Sequence, residues 1–152
     1  MRVLFVTHDG VSHEPLGLEY LSSSLIARKH KTKACMESRT IETIKDWNPH
    51  FVAFQVLTGD EGRWGAVAKK VKESFPEIKT IFGGPHFFFN PTIGQGEADF
   101  VIRGDGEVGI VDVVEGRNHA DLKAIDSLDS LPKPDRGLLY NDDFPGIKNN
   151  VI

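Results

Sequence analysis

Small and polar residues that could meet a ligand gather at four turns of this chain: Glu14-Pro15-Leu16-Gly17, Gln55-Val56-Leu57-Thr58-Gly59, Gly83-Gly84-Pro85-His86 and Gly104-Asp105-Gly106-Glu107. Gly83 and Gly84 lack Cβ atoms, so they permit unusual dihedrals and let backbone come close to something flat; a tight strand-to-helix turn explains the pair as well. Glu107, near a helix start, suits the free N–H groups there with or without a ligand. The first turn has no Gly-x-Gly-x-x-Gly and no phosphate loop, which disfavours dinucleotides and nucleoside triphosphates. Cys35 is the only thiol. This chain therefore supplies no internal disulfide, no Cys-rich zinc site and no thiolate-held iron–sulfur cluster, and the flanks of Cys35 read as a strand interior.

These turns need a scaffold, and the hydrophobic pattern supplies one. Short β-rich runs at Val3 to Thr7, Thr32 to Glu37, Phe51 to Leu57, Ile78 to Phe82 and Asp99 to Arg103 alternate with helix-period segments. That alternation implies parallel strands joined by crossover helices. Leu18, Leu21, Leu25 and Ile26 carry the first helix, Ile41, Ile44 and Trp47 the second with Thr40 as its cap, and Trp64, Val67, Ala68, Val71 and Phe75 the third. A further helix is expected over Val108 to Glu115. Five strands in this order fit a flavodoxin-like α/β sheet, strand order 2-1-3-4-5, with helices on both faces. In such a sheet ligands sit at the carboxyl ends of the strands, where all four turns fall.

The 152 residues, 39% hydrophobic, allow one ordinary core. The expected division is an α/β domain over residues 1–118 and a linker or strap over 119–152. Pro132 and Pro134 forbid a regular helix there, and the segment leads toward an absent domain or folds back on the sheet. A net charge of −4 with scattered Lys and Arg argues against nucleic acid or an anionic membrane as partner. No apolar run approaches the roughly 18 residues a bilayer requires, and Met1 to Val6 is too short for a signal peptide, so a cytoplasmic location is expected.

In their shared order, several segments resemble the cobalamin-binding domain at the amino terminus of class B, cobalamin-dependent, radical S-adenosylmethionine enzymes. The carriers are Arg2-Val3-Leu4-Phe5-Val6, Pro15-Leu16-Gly17-Leu18-Glu19-Tyr20-Leu21, Val56-Leu57-Thr58, Ile81-Phe82-Gly83-Gly84-Pro85-His86, Asp99 to Glu107 and Leu128 to Asp135. The resemblance covers about residues 1 to 140. It implies a corrinoid cofactor held near Glu14, Leu16, Gly17, Gln55, Leu57, Thr58, Gly83, Gly84, Pro85, His86, Gly104, Asp105, Gly106 and Glu107. It also implies a radical S-adenosylmethionine methyltransferase or related enzyme as the complete protein, whose absent barrel domain would hold the iron–sulfur cluster and S-adenosylmethionine. This chain alone would then hold no catalytic residue and no metal ligand.

The sequence departs from the broader cobalamin-binding pattern Asp-x-His-x-x-Gly, Ser-x-Leu, Gly-Gly. With the first glycine at Gly17, Ser12 stands at the aspartate and Glu14 at the axial histidine, while Gln55 replaces the serine ahead of Leu57. The corrinoid is therefore expected without an axial histidine from the protein. His13 is adjacent, but Pro15 restricts the loop and His13 reads as a surface residue. His86 either lines the rim and bonds a corrin amide or simply enters a helix, and Phe87-Phe88-Phe89 either walls a macrocycle or packs the core. A second reading keeps the fold and drops the cofactor, leaving a docking or substrate-gating module.

Overall fold

A computed structural model of the chain describes residues 1–89, 96–117 and 124–148, apart from the Phe88 side chain. Val3, Leu4, Phe5 and Val6 are apolar at every position, and strand β1 (Arg2–Thr7) is covered on both faces as such a run requires. Helix α1 (Leu16–Ala27) follows, then β2 (Lys31–Met36), α2 (Thr40–Trp47), β3 (Phe51–Gln55), α3 (Glu61–Ser74), β4 (Lys79–Gly83), α4 (Pro85–Phe89), β5 (Phe100–Val101), α5 (Gly106–Val114) and the short α6 (Pro145–Lys148). The five strands form one parallel sheet in the order β2-β1-β3-β4-β5, as the alternation and right-handed crossovers predict.

Successive strand residues serve opposite faces. Val3, Phe5, Ala53, Ile81 and Ile102 share a core with Leu18 and Leu25 of α1 and Ile110, Val113 and Val114 of α5. Leu4, Val6, Val52, Phe54 and Phe82 pack instead with Ile44 of α2, Trp64, Ala68 and Val71 of α3, and Phe87 of α4. The period of two that divides these sets is the alternation of side chains along a strand.

Local chemistry sets the boundaries. Asn48 adopts the left-handed conformation (φ 49°) and its N–H donates to the Ile44 carbonyl, which stops α2 ahead of Pro49. Thr40 does not cap α2. Its hydroxyl donates to the Glu37 carbonyl at 2.8 Å, closing the preceding 3-10 turn. β5 is shorter than expected because Asp99 takes over the Thr80 edge: its carboxylate accepts from the Thr80 N–H at 2.8 Å and hydroxyl at 3.0 Å. Beyond Ile102, Gly104 at φ 86° turns the chain away.

The carboxyl-terminal segment folds back. Leu138, Leu139, Phe144 and Ile147 are buried in the same core as α1 and α5. The Asp135 N–H donates to the Glu19 carbonyl at 3.1 Å, and the Ser22 hydroxyl donates to the Asp135 carboxylate at 2.6 Å. The expected boundary at residues 118 and 119 lies outside the described residues. Among the described residues, no helix is long and apolar enough to cross a membrane.

Candidate functional site

At the carboxyl ends of the strands, a slot of about 350 Å³ opens between the sheet and helices α1 and α5. Its floor is apolar: Phe5, Ala53, Ile81 and Ile102 from the sheet, Leu18 and Leu21 from α1, and Ile110 from α5. Its mouth is lined by Gly17, Gln55, Gly83, Gly84, Pro85, Gly104, Asp105, Gly106 and Glu107, drawn from all four of the turns singled out in the sequence. The register explains the meeting, since Gln55 of β3 pairs with Gly83 of β4 at the rim.

The glycines do different work. Gly84 has φ 117°, and a Cβ there would stand 2.7 Å from the Val56 carbonyl oxygen, so the turn itself requires glycine. At Gly17 a Cβ would meet only the Gln55 amide at 3.8 Å, and at Gly83 only Ile102 at 3.8 Å. Both positions lack side chains where space remains, and that keeps the slot open. Closer contacts bring α5 in: a Cβ would lie 2.9 Å from Leu21 at Gly106 and 2.4 Å from the Ile102 side chain at Gly109. The spacing Gly104, Gly106, Gly109 is a signal that turn-by-turn reading passes over. It joins a positive-φ turn to two close helix approaches, the mechanical uses such glycines have elsewhere.

A second cavity of about 290 Å³ adjoins the slot, sharing Leu18 and Gln55, and is roofed by the β1–α1 loop with Leu57 and Trp64. In it His8 is tied to Asp60 at 3.0 Å and lies against Trp64, ring centroids 4.6 Å apart. His13 lines this cavity but is exposed. Exposed apolar side chains surround the rim: Leu16 at 44%, Leu57 at 46% and Phe89 at 75% of their surface. Such a grouping at a concave site suits a ligand or partner with apolar area of its own.

Other expected residues stand apart from the slot or are partly engaged elsewhere. His86 is buried, with its Nδ1 3.2 Å from the Thr58 hydroxyl, and the pair ties the β3–α3 loop to the β4–α4 turn instead of facing the slot. Glu14 points toward the carboxyl-terminal segment, where Arg136 Nε is 3.4 Å from its Oε1, and its carboxylate helps to raise the Tyr140 phenol above its ordinary value, after burial. Asp105 lines the slot while its carboxylate accepts from the Ile125 N–H at 2.6 Å. Phe87 and Phe89 part company: Phe87 is 1% exposed and stacks on Phe82, whereas Phe89 lines the slot. Cys35 is buried, and burial pushes its thiol up to about 11, an inert group. No cluster of three or more His, Cys, Asp or Glu suited to a metal ion occurs among the described residues.

Sequence reasoning missed the slot's floor. Leu18, Leu21, Ile81 and Ile102 read simply as core; the usable signal was strand alternation, which assigns Phe5, Ala53 and Ile81 to the α1 and α5 face.

Comparison with known proteins bears on the same region. A family model described as B12 binding domain matches residues 2–114. The chain is 26% identical to an uncharacterized methyltransferase of Pyrococcus horikoshii, an alignment covering 89% of this chain and 36% of that protein, so it spans about a third of this curated relative. Among solved structures, the radical S-adenosylmethionine methyltransferase TsrM of Kitasatospora setae, determined with cobalamin and a 4Fe–4S cluster bound, superposes with a TM-score of 0.63 at 15% identity, over 77% of this chain and 25% of TsrM. A cobalamin-binding protein of Desulfitobacterium hafniense superposes with a TM-score of 0.57 at 15% identity, over 77% of this chain and 59% of the other. At such identities the superpositions establish a common fold.

Proposed function

The chain belongs to the B12 binding domain family, and on that premise we propose that it holds a corrinoid at the rim, with the nucleotide tail entering the slot between the sheet and helices α1 and α5. The observation that carries this reading is the slot: apolar in its floor, rimmed by glycines at 17, 83, 84, 104 and 106, and open over about 350 Å³ among the described residues. These residues fit the group. Gly17 and Gly83 leave room where a larger residue would fill the passage, and the aliphatic floor exchanges water for apolar contact with a ring. Gln55 offers an amide that both donates and accepts at the mouth, and Leu16, Leu57 and Phe89 offer apolar surface around it. Pro85, Gly104, Asp105, Gly106 and Glu107 complete the mouth, while Thr58 and His86 brace the loop that carries Leu57.

The corrinoid is held without an axial histidine from this chain. Supporting this, Glu14 stands at the position the family pattern gives to that histidine, and its carboxyl is engaged by Arg136. His8 is engaged by Asp60, and His13 is exposed. When bound, the corrinoid supplies cobalt-centred group transfer; this chain's residues bind it, orient it and exclude water from its tail. The reaction belongs to the longer protein, read here as a radical S-adenosylmethionine methyltransferase whose catalytic domain docks over the rim. The relative's greater length and printed activity, and the fold shared with TsrM, support that reading.

Purified chain is mixed with hydroxocobalamin and desalted. A retained red colour with a shifted absorption spectrum is expected, and a colourless protein would instead favour the cofactor-free docking module. His13→Ala leaves the bound spectrum unchanged if the axial reading is right.

A further inference from the structure

Corrinoids differ in the base that ends the nucleotide tail, which is a benzimidazole, a purine or a phenol. The slot is uneven in a way that bears on that difference. Its polar side chains, Gln55, Asp105 and Glu107, all stand at the mouth, and Asp105 already accepts from the Ile125 N–H at 2.6 Å. Among the described residues, the floor carries hydrocarbon side chains only, Ala53, Ile81, Ile102 and Ile110 among them. Backbone groups offer no substitute. Phe5, Ala53 and Ile81 belong to interior strands paired on both sides, the Ile102 N–H donates to the Phe82 carbonyl at 2.8 Å, and the Val56 N–H donates to the Gly83 carbonyl at 2.8 Å. Such bonds run across the strands within the sheet, so the face that floors the slot presents side chains alone.

We infer that the slot selects corrinoids by their lower base, accepting 5,6-dimethylbenzimidazole and rejecting a purine. The inference rests on the corrinoid reading above and names the ligand of that same site more closely. Dimethylbenzimidazole, off the cobalt, has two methyl groups, C–H edges and one free ring nitrogen, so nearly all of its surface gains from an aliphatic floor. Adenine has in addition an amino group and further ring nitrogens. Entering the slot strips these of water and supplies no donor or acceptor in return, and each polar group left unpaired weakens binding by about tenfold or more. Both bases are flat fused rings of similar size, so the discrimination comes from hydrogen bonding and not from fit. Ala53, Ile81, Ile102 and Ile110 are then the specificity-determining residues.

Affinities of the natural chain for cobalamin, for the corrinoid with adenine as its base and for cobinamide, which has no nucleotide tail, are followed by absorbance. Each is corrected for the fraction of free corrinoid whose base is off the cobalt, measured by acid titration without protein. Cobalamin should then bind about tenfold or more tightly than the adenine corrinoid. Equal corrected affinities for these two, or tighter binding of the adenine corrinoid, with both above cobinamide, overturn base selection and leave the tail in the slot. Equality of all three removes the tail reading and the selection with it. Ile81→Thr tests the floor itself: it takes hydrocarbon from the benzimidazole and offers the purine a hydroxyl, so the preference should narrow by about threefold or more. A preference unchanged in Ile81→Thr overturns the assignment to the floor. Should Ile81→Thr fail to fold, the three affinities of the natural chain decide alone.

Discussion

The two faces of the sheet are built from similar strand residues yet finished differently. On the α2 and α3 face, large aromatics meet one another: Phe54 lies 5.5 Å from Trp64 and 5.6 Å from Phe82, and Phe82 6.0 Å from Phe87. On the α1 and α5 face, the strand ends carry Ala53, Ile81 and Ile102 beside Gly17, Gly83 and Gly106, and about 350 Å³ is left unfilled. Protein interiors are ordinarily packed to crystal-like density. A gap kept open by glycines forfeits packing that larger residues would provide, which makes sense where a ligand completes the wall. One face is packed with aromatics, and the other leaves a slot unfilled beside its core.

This contrast can be broken at either face. Trp64→Ala should cost about 3–5 kcal/mol, because it empties a fully buried aromatic site. Urea denaturation measures it, and a loss below about 1 kcal/mol would mean that the aromatic face does not carry the fold. Next comes Gly109→Val, which forces a side chain into the 2.4 Å approach to Ile102 and should cost about 1–3 kcal/mol by overpacking. An unchanged urea midpoint would show that α5 moves aside freely, and the slot with it.

Smaller still is the stability change for Gly17→Leu. With only Gln55 near the new Cβ and a better helix former in α1, it should stay within about 1 kcal/mol of the natural chain, yet cofactor retention should vanish. A retained cofactor would separate the slot from the site. Gly84 is unsuited to this test, since any side chain there strikes the Val56 carbonyl and strains the turn. Least of all should happen at Cys35, raised and buried on the aromatic face: native chain at pH 8 should resist a thiol reagent for hours, and labelling within minutes would show that face opening.

Much of the framework is legible in the sequence because burial on both faces leaves an unbroken apolar run, as in Val3 to Val6 and Phe51 to Phe54. Strand order then follows from crossover handedness, and the turns at the strand ends fall on the rim. What escapes is direction. Glu14 stands in a rim turn by sequence, but the loop aims its carboxyl at Arg136, a contact more than a hundred residues away that no local pattern encodes. His86 and Phe87 follow the glycine pair into a helix whose inward side takes both, leaving Phe89 on the rim. Periodicity tells that Leu18, Ile81 and Ile102 are buried; the volume left between them depends on how closely Gly106 and Gly109 let α5 approach.

The central claim is that the slot seats the nucleotide tail of a corrinoid. Its most direct test is the affinity of the natural chain and of Gly17→Leu for cobalamin and for cobinamide, which lacks that tail, followed by absorbance. The account predicts that the natural chain prefers cobalamin by about tenfold or more and that Gly17→Leu loses the preference. Equal affinity for both corrinoids in the natural chain, or a preference untouched by Gly17→Leu, would contradict it.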